Sequence, residues 1–237
     1  MDIQIKARLA ALDWDRIAEQ IETRGHALGG RLLRAGECAD LMALFDCDAR
    51  FRGTIEMARH RFGEGRYRYF ADPLPALVAE LRRELYRHLS PIANAMVAKL
   101  PGGQTYPKEL EAYLRACHAA GQAKPTPLLL RYETGGYNRL HQDLYGGESF
   151  PLQAVFLLSC PGTDFTGGEF MLLENQPRAQ SIGRAITPAQ GEMIIIPVKE
   201  RPVKGKRGYF RAPMRHGVSP LQSGQRYTLG VIFHDAE

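Results

Sequence analysis

From Leu128 to Phe233 the sequence divides into segments of five to eight residues separated by glycine and proline turns, and this spacing constrains the chain to short strands. The runs predict strands over Leu128–Tyr132, Tyr137–Asp143, Leu152–Ser159, Gly168–Leu173, Glu192–Ile196 and Tyr227–Phe233, with a short one near His216. Gly135-Gly136, Gly146-Gly147, Pro161-Gly162, Gly167-Gly168, Pro188 and Gly191 supply the turns. Strands of this length and spacing form a β-sandwich or barrel. The first half follows another period. Leu74, Leu77, Val78, Leu81, Leu85, Leu89, Ile92 and Met96 recur at intervals of three and four, which predicts a long helix with one apolar face. Pro107 to Ala120 reads as a second helix, stopped by Gly121. Pro125 and Pro127 mark the join between a mainly helical region, 1–124, and a strand-rich region, 125–237. Together they predict one α+β domain with the helices packed on the barrel.

No apolar run is long enough to span a bilayer, and the N-terminus, with an early acid and no long apolar core, does not read as a signal peptide. Cys38, Cys47, Cys117 and Cys160 have neither zinc-knuckle nor C-x-x-C spacing, so they read as free thiols of a cytoplasmic protein without a membrane partner. The sequence leaves the oligomeric state open.

Charge is unevenly placed. Lys199, Arg201, Lys204, Lys206, Arg207, Arg211 and Arg215 face only Glu200 within one segment, while the whole chain carries +5, so the remainder is near neutral. Such a segment is either a solvated loop or a contact for an anionic partner, nucleic acid above all. Because it runs directly into His216, it is expected at the rim of any site that His216 helps to build.

His141-Gln142-Asp143 carries the first chemical signal. Residues i and i+2 of a strand share a face, so an imidazole and a carboxylate converge. With His216, they would give two histidines and one carboxylate on one side of an Fe(II) ion, leaving the other positions open for small ligands. Taken alone, an H-x-D sequence occurs at many strand ends. Ten residues after His216, Arg226 shares a strand face with Thr228 and Gly230, opposite Tyr227, Leu229, Val231 and Phe233. An arginine turned inward needs an anion, either a bound dicarboxylate or a carboxylate of the protein.

The stretch from Leu130 to Asp143, with Tyr132 nine residues before His141 and Leu-His-Gln-Asp at its end, resembles the iron-binding strand pair of AlkB-type nucleic-acid dealkylases. Gly167-Gly168-Glu169-Phe170, Gly191–Pro197, His216-Gly217-Val218 and Arg226-Tyr227-Thr228 are similar to the double-stranded β-helix, or jelly roll, of the wider 2-oxoglutarate/iron(II) oxygenase superfamily, prolyl hydroxylases included. More closely, the chain resembles a bacterial family named for oxidative demethylation of damaged DNA. The resemblance implies a dioxygenase with Fe(II) held by His141, Asp143 and His216, and with 2-oxoglutarate and O2 as co-substrates. Arg226 would take the distal carboxylate, helped by Thr228 and the Tyr132 hydroxyl. It also implies a nucleic-acid substrate and an N-terminal substrate lid. The chain departs from AlkB enzymes at Leu130, where they carry asparagine, and at Ile232, where they carry a second arginine. Two other functions fit the same motifs: a prolyl-hydroxylase-like protein hydroxylase and a non-catalytic, cupin-like metal protein.

The run Arg59–Phe70 alternates bases with aromatics, so Arg66, Tyr67, Arg68 and Tyr69 join Lys206, Arg207 and Arg211 as expected substrate contacts, cations on phosphates and rings on bases. The same alternation also describes an amphipathic strand with its tyrosines in the core.

Overall fold

The computed structural model describes residues 2–237. Five α-helices form among them, α1 (Asp2–Ala10), α2 (Trp14–Arg24), α3 (Ala35–Ala43), α4 (Ala76–Val97) and α5 (Leu110–Ala119). In α4 the expected stripe is realised: Val78, Leu81, Leu85, Leu89, Ala93 and Met96 are buried. They share one apolar cluster with Ile17 and Ile21 of α2, with Leu129, Phe156, Ile195, Leu229 and Val231 from strands, and with Phe233 just past β14. Burial of this kind contributes about 1.5–3 kcal/mol per large aliphatic side chain. Truncating Leu85 to alanine would cost about 2–5 kcal/mol once the cavity left behind is included. Asp13 starts α2 by accepting from the Arg16 amide at 3.0 Å, and Gly25 ends it in the left-handed conformation.

The strands are β1 (Ala27–Arg31), β2 (Phe51–Glu56), β3 (Gly63–Glu64), β4 (Arg66–Phe70), β5 (Leu128–Glu133), β6 (Tyr137–His141), β7 (Leu152–Leu157), β8 (Phe165–Gly167), β9 (Phe170–Glu174), β10 (Ile182–Ile186), β11 (Glu192–Pro197), β12 (Glu200–Gly205), β13 (Gly208–Val218) and β14 (Leu221–Val231). A larger sheet runs β1-β11-β7-β14-β5-β4-β2, with β8 on β14, and a smaller one runs β10-β9-β13-β6-β3, with β12 on β13. From β5 onward the chain passes repeatedly between the two sheets, which is the winding of a double-stranded β-helix. Helices cover the outer face of the larger sheet. Phe170, Leu172, Ile186, Ile194, Ile196 and Met214 fill one end of the space between the sheets.

The structure adds strands to the half that reads as helix. β1 is Ala-Leu-Gly-Gly-Arg, which has no alternation of its own, and its extended form comes from pairing with β11. β4 pairs with β5 and β2 with β4, so the N-terminal region extends the larger sheet at both ends as well as covering it. The basic segment is not a loop. It forms the β12–β13 hairpin, with Lys206 and Arg207 at its turn. Among the described residues no helix is long and apolar enough to cross a membrane. All four cysteines are free; Cys38 and Cys117 are buried, Cys160 is half-buried and Cys47 is exposed.

Candidate metal centre and co-substrate cavity

His141 closes β6, and its partner across the ladder is His216 on β13. The cross-strand pairing leaves the two imidazole centroids 4.4 Å apart. Asp143 lies two residues past the end of β6, so the strand ladder does not hold it as the H-x-D spacing predicts. Its carboxylate nevertheless reaches both histidines: Oδ1 is 3.4 Å from His141 Nε2, and Oδ2 is 3.2 Å from His216 Nε2. One ligand atom from each of the three residues falls within a 4.8 Å cluster. The His141 Nδ1–H donates to the Arg139 carbonyl at 2.7 Å, which fixes the tautomer and leaves Nε2 free to bind. Tyr145 donates its hydroxyl to Asp143 Oδ1 at 3.0 Å. Burial opposes ionisation of Asp143, but the His216 and His141 rings outweigh it and hold the carboxyl well below its usual range. Burial, with the charge of His141, holds His216 below its ordinary value. Two imidazoles and a carboxylate so placed are the donor set that a first-row divalent metal takes once the rings give up their protons to it.

Gln142 projects elsewhere. Its amide donates to the carbonyls of Lys199 and Met214, at 2.7 and 2.8 Å, and so ties the strand carrying two of the three residues to the hairpin that leads to the third.

The triad opens into a cavity of about 460 Å³ between the sheets. Arg226, Thr228 and Gly230 line it from β14, while Tyr227, Leu229, Val231 and Phe233 face the helical core, so the predicted alternation holds. Arg226 is 1% exposed, and among the described residues neither its Nε nor one terminal nitrogen has a hydrogen-bond partner. It forms no ion pair within 4.0 Å there, and Glu169 is the carboxylate whose charge reaches it from farther off. Burial lowers its pKa to about 10, which keeps it charged at neutral pH. Gly168 makes room for it, because a Cβ at that position would stand 3.1 Å from Arg226 Cδ and 2.6 Å from Leu221 Cδ1. The Tyr132 ring is fully buried beside the guanidinium, 5.9 Å from its centroid, and its hydroxyl accepts from the Asn138 amide at 3.3 Å. A buried cation without a protein partner, in one cavity with a two-histidine, one-carboxylate cluster, fits a metal and an anionic co-ligand bound side by side.

Of the seven expected substrate contacts, only Tyr67 lines this cavity. Arg66 pairs with Glu56 at 2.5 Å. Arg68 is buried against the Phe51 ring and bonded to Asp48 and to the Phe45 carbonyl. Tyr69 packs edge-on against Tyr67 and Tyr145, with Arg52 over its ring. The alternation of β4 thus sends its arginines and tyrosines to opposite faces, and the arginines serve the sheet. Lys206 and Arg207 sit nine to ten residues from His216 along an extended strand, a separation on the order of 30 Å, so these two lie away from the cavity while the ends of the segment, Lys199 and Arg215, run beside the triad. Arg211 is paired with Glu200 and donates to the Pro101 carbonyl at 2.7 Å.

The mouth is built from the start of the Arg59–Phe70 run, at Arg61 and Phe62, and from three residues around His141 that the sequence did not single out as contacts. Arg61, Phe62, Arg139, Leu140 and Leu144 surround it, and Phe62, Leu140 and Leu144 are among the few large apolar side chains left exposed. The Arg139 amide donates to the Phe62 carbonyl at 2.8 Å, which fastens the two segments together. Deeper in, Gln153 lies beside His216. Its signal in the sequence is a lone amide within the apolar run Leu152–Leu158.

The chain shares this fold with solved oxygenases of low sequence similarity. A Pseudomonas putida prolyl-4-hydroxylase superposes with a TM-score of 0.57 at 17% identity, covering 94% of this chain and 100% of that one. An oxidoreductase of the 2OG-Fe(II) oxygenase family from Burkholderia pseudomallei gives 0.54 at 16% identity, covering 94% and 92%. An uncharacterized protein of Mycobacterium tuberculosis is 48% identical over 167 residues, 70% of this chain and 72% of that protein. The family described as an oxygenase catalysing oxidative methylation of damaged DNA matches residues 65–236, a span that contains the triad, Arg226 and most of the cavity mouth. By that match the chain belongs to the Oxygenase-NA family.

Proposed function

We propose that the protein is an Fe(II)- and 2-oxoglutarate-dependent dioxygenase that oxidises alkylated nucleic acid. The observation that carries the co-substrate reading is Arg226, a buried guanidinium without a partner in the cavity that also holds His141, Asp143 and His216. The triad would hold the iron. Arg226 would take the distal carboxylate of 2-oxoglutarate through its planar fork, with Thr228 and the Tyr132 hydroxyl beside it. When bound, the metal and co-substrate supply oxidation of a C–H bond by dioxygen, coupled to decarboxylation of 2-oxoglutarate to succinate. The chain's own part is to fix the donor set, to orient the dicarboxylate and to enclose the reacting group away from water.

The family description and the mouth support the nucleic-acid substrate. Arg61 and Arg139 are exposed and form no ion pair among the described residues, and they flank the apolar Phe62, Leu140 and Leu144. That combination suits a planar base carried on a phosphate backbone. Hydroxylating an N-methyl group gives an N-hydroxymethyl group, which releases formaldehyde and leaves the amine, so oxidation at such a site removes methyl groups.

Succinate release tests the reading, with Fe(II), 2-oxoglutarate and either N-methylated oligonucleotides or a peptide panel. Wild type should produce succinate and formaldehyde together with the oligonucleotides, and His216→Ala neither. Turnover on proline-containing peptides alone would replace the nucleic-acid reading with protein hydroxylation. No turnover despite bound metal would make the chain a metal-binding protein of the same fold.

A further inference from the structure

β7 runs through the middle of the larger sheet, paired with β11 on one side and β14 on the other, and its sequence from Leu152 to Leu158 is apolar except for Gln153. Gln153 is 2% exposed and lines the metal cavity. Its Oε1 has no hydrogen-bond partner among the described residues. Its Nε2 stands 3.3 Å from His216 Nε2, the ring nitrogen that also faces Asp143. An amide buried with an unmade hydrogen bond is destabilising, and a strand this apolar offers no local reason to keep one. Leucine or methionine would pack the same position without that penalty.

The position of the amide supplies the reason. It lies beside the nitrogen that His216 presents to the metal, on the cavity side, so a ligand sharing the metal with His216 on that face meets the amide. Arg226 cannot serve this end of the cavity. It is six residues along the chain from Ile232, the cavity-lining residue nearest Gln153 in the pairing of β14 with β7. The cavity therefore has a cation at one end and a neutral amide near the metal at the other. A 2-oxo acid with a second carboxylate has complementary ends: a distal anion, and a metal-binding 2-oxo-carboxylate whose oxygens accept hydrogen bonds.

We infer that Gln153 is a co-substrate-contacting residue, its side-chain amide donating to the metal-binding 2-oxo-carboxylate end of 2-oxoglutarate. This assignment rests on the iron and 2-oxoglutarate reading above. The amide adds a donor where Leu130, also on the cavity wall, offers none. Orienting the His216 ring is the competing role for Gln153, and the two roles predict opposite results.

The experiment loads wild type, Gln153→Leu and Gln153→Glu with Mn(II) and measures metal affinity from free-ion spin resonance. Calorimetric titration of 2-oxoglutarate into the loaded proteins follows, without oxygen or substrate. For a hydrogen bond to a charged group, Gln153→Leu should weaken 2-oxoglutarate by about 10–100-fold while Mn(II) affinity changes less than about threefold. Gln153→Glu should weaken it further, by placing a carboxylate against a carboxylate. Weakened Mn(II) binding with unchanged 2-oxoglutarate affinity would assign Gln153 to ring orientation and overturn the proposal, as would no change in either. If wild type itself fails to bind 2-oxoglutarate while Mn(II) binds, the underlying co-substrate reading falls instead.

Discussion

Two buried arginines on either side of the larger sheet face opposite circumstances. On the helical side, Arg82 of α4 donates to the Ile232 and Phe233 carbonyls at 2.9 and 3.0 Å and to Asp235 at 2.7 Å. On the cavity side, Arg226 is buried as deeply, yet two of its nitrogens have no partner among the described residues. Arg201 resembles Arg82: it holds the fully buried Glu174 at 2.9 and 3.0 Å. A buried charge with its counterion and hydrogen bonds in place belongs to the architecture. One without them is stable only because the surrounding fold enforces it, and it is available to an anion from outside. The difference separates a structural residue from a binding residue where burial alone does not.

The contrast breaks most readily on stability. Arg82→Met should destabilise the apo protein by about 3 kcal/mol, since it leaves buried Asp235 only its His118 contact and strips the Ile232 and Phe233 carbonyls of their donor. Arg226→Met should leave the denaturation midpoint unchanged or raise it, because no carboxylate within ion-pair distance loses its mate and Glu169 acts on it only from farther off. Equal losses in urea melts of the two variants would abolish the distinction. Ligand affinity supplies the converse. Arg226→Met should weaken 2-oxoglutarate by about 30–1000-fold with metal binding intact, the range expected when one partner of a buried charge pair is truncated. Arg82→Met should bind it normally at temperatures where it remains folded.

A neutral buried group sharpens the comparison further. Burial, and then the charge of Arg82, push the pKa of His234 down to about 4, and its Nδ1 accepts from the Phe150 amide at 3.2 Å. In the unfolded chain this imidazole takes up a proton near pH 6.5, whereas the folded state refuses it until about pH 4. Stability should therefore be flat above pH 6.5 and fall by about 2 kcal/mol on acidifying to pH 5. His234→Gln, which keeps an acceptor for the amide, should flatten that slope; an unaltered slope would assign the pH dependence elsewhere. The smallest effects belong to exposed cations. Arg61→Glu with Arg139→Glu should lower the salt dependence of oligonucleotide binding by about two in log–log slope, one for each phosphate no longer neutralised. Lys206→Glu with Arg207→Glu, far from the mouth, should change it by less. The reverse ranking would return the nucleic-acid track to the hairpin.

The sequence makes the site more legible than its surroundings. His216 and Arg226 stand out as costly residues at buried strand positions, and His141 and Asp143 through their H-x-D spacing, although Asp143 lies past the end of its strand. The jelly-roll strands are legible for a related reason, their glycine and proline punctuation. β1 is not, because its extended form is imposed by the strand it pairs with rather than by its own alternation, whereas the alternation of β4 is visible in the sequence as an amphipathic strand. Arg66 and Arg68 mislead for the opposite reason. Local sequence shows a cation beside an aromatic, and only tertiary structure supplies Glu56 and Asp48 to occupy them. Gln153 is a polar residue in an apolar run, a signal present in the sequence but without meaning until His216 is placed against it.

His141 and His216 are direct partners across the β6–β13 ladder, and β13 pairs on its other edge with β9 in a regular register. A slip of one residue between β6 and β13 would turn one imidazole to the opposite face of the sheet, and the metal proposed for this triad would be left a single histidine. Metal affinity is therefore a gauge of strand registration. A variant that titrates Mn(II) like wild type has threaded these two strands correctly, and one that folds but cannot bind the ion has a misaligned ladder to be looked for before any fault in the ligands themselves.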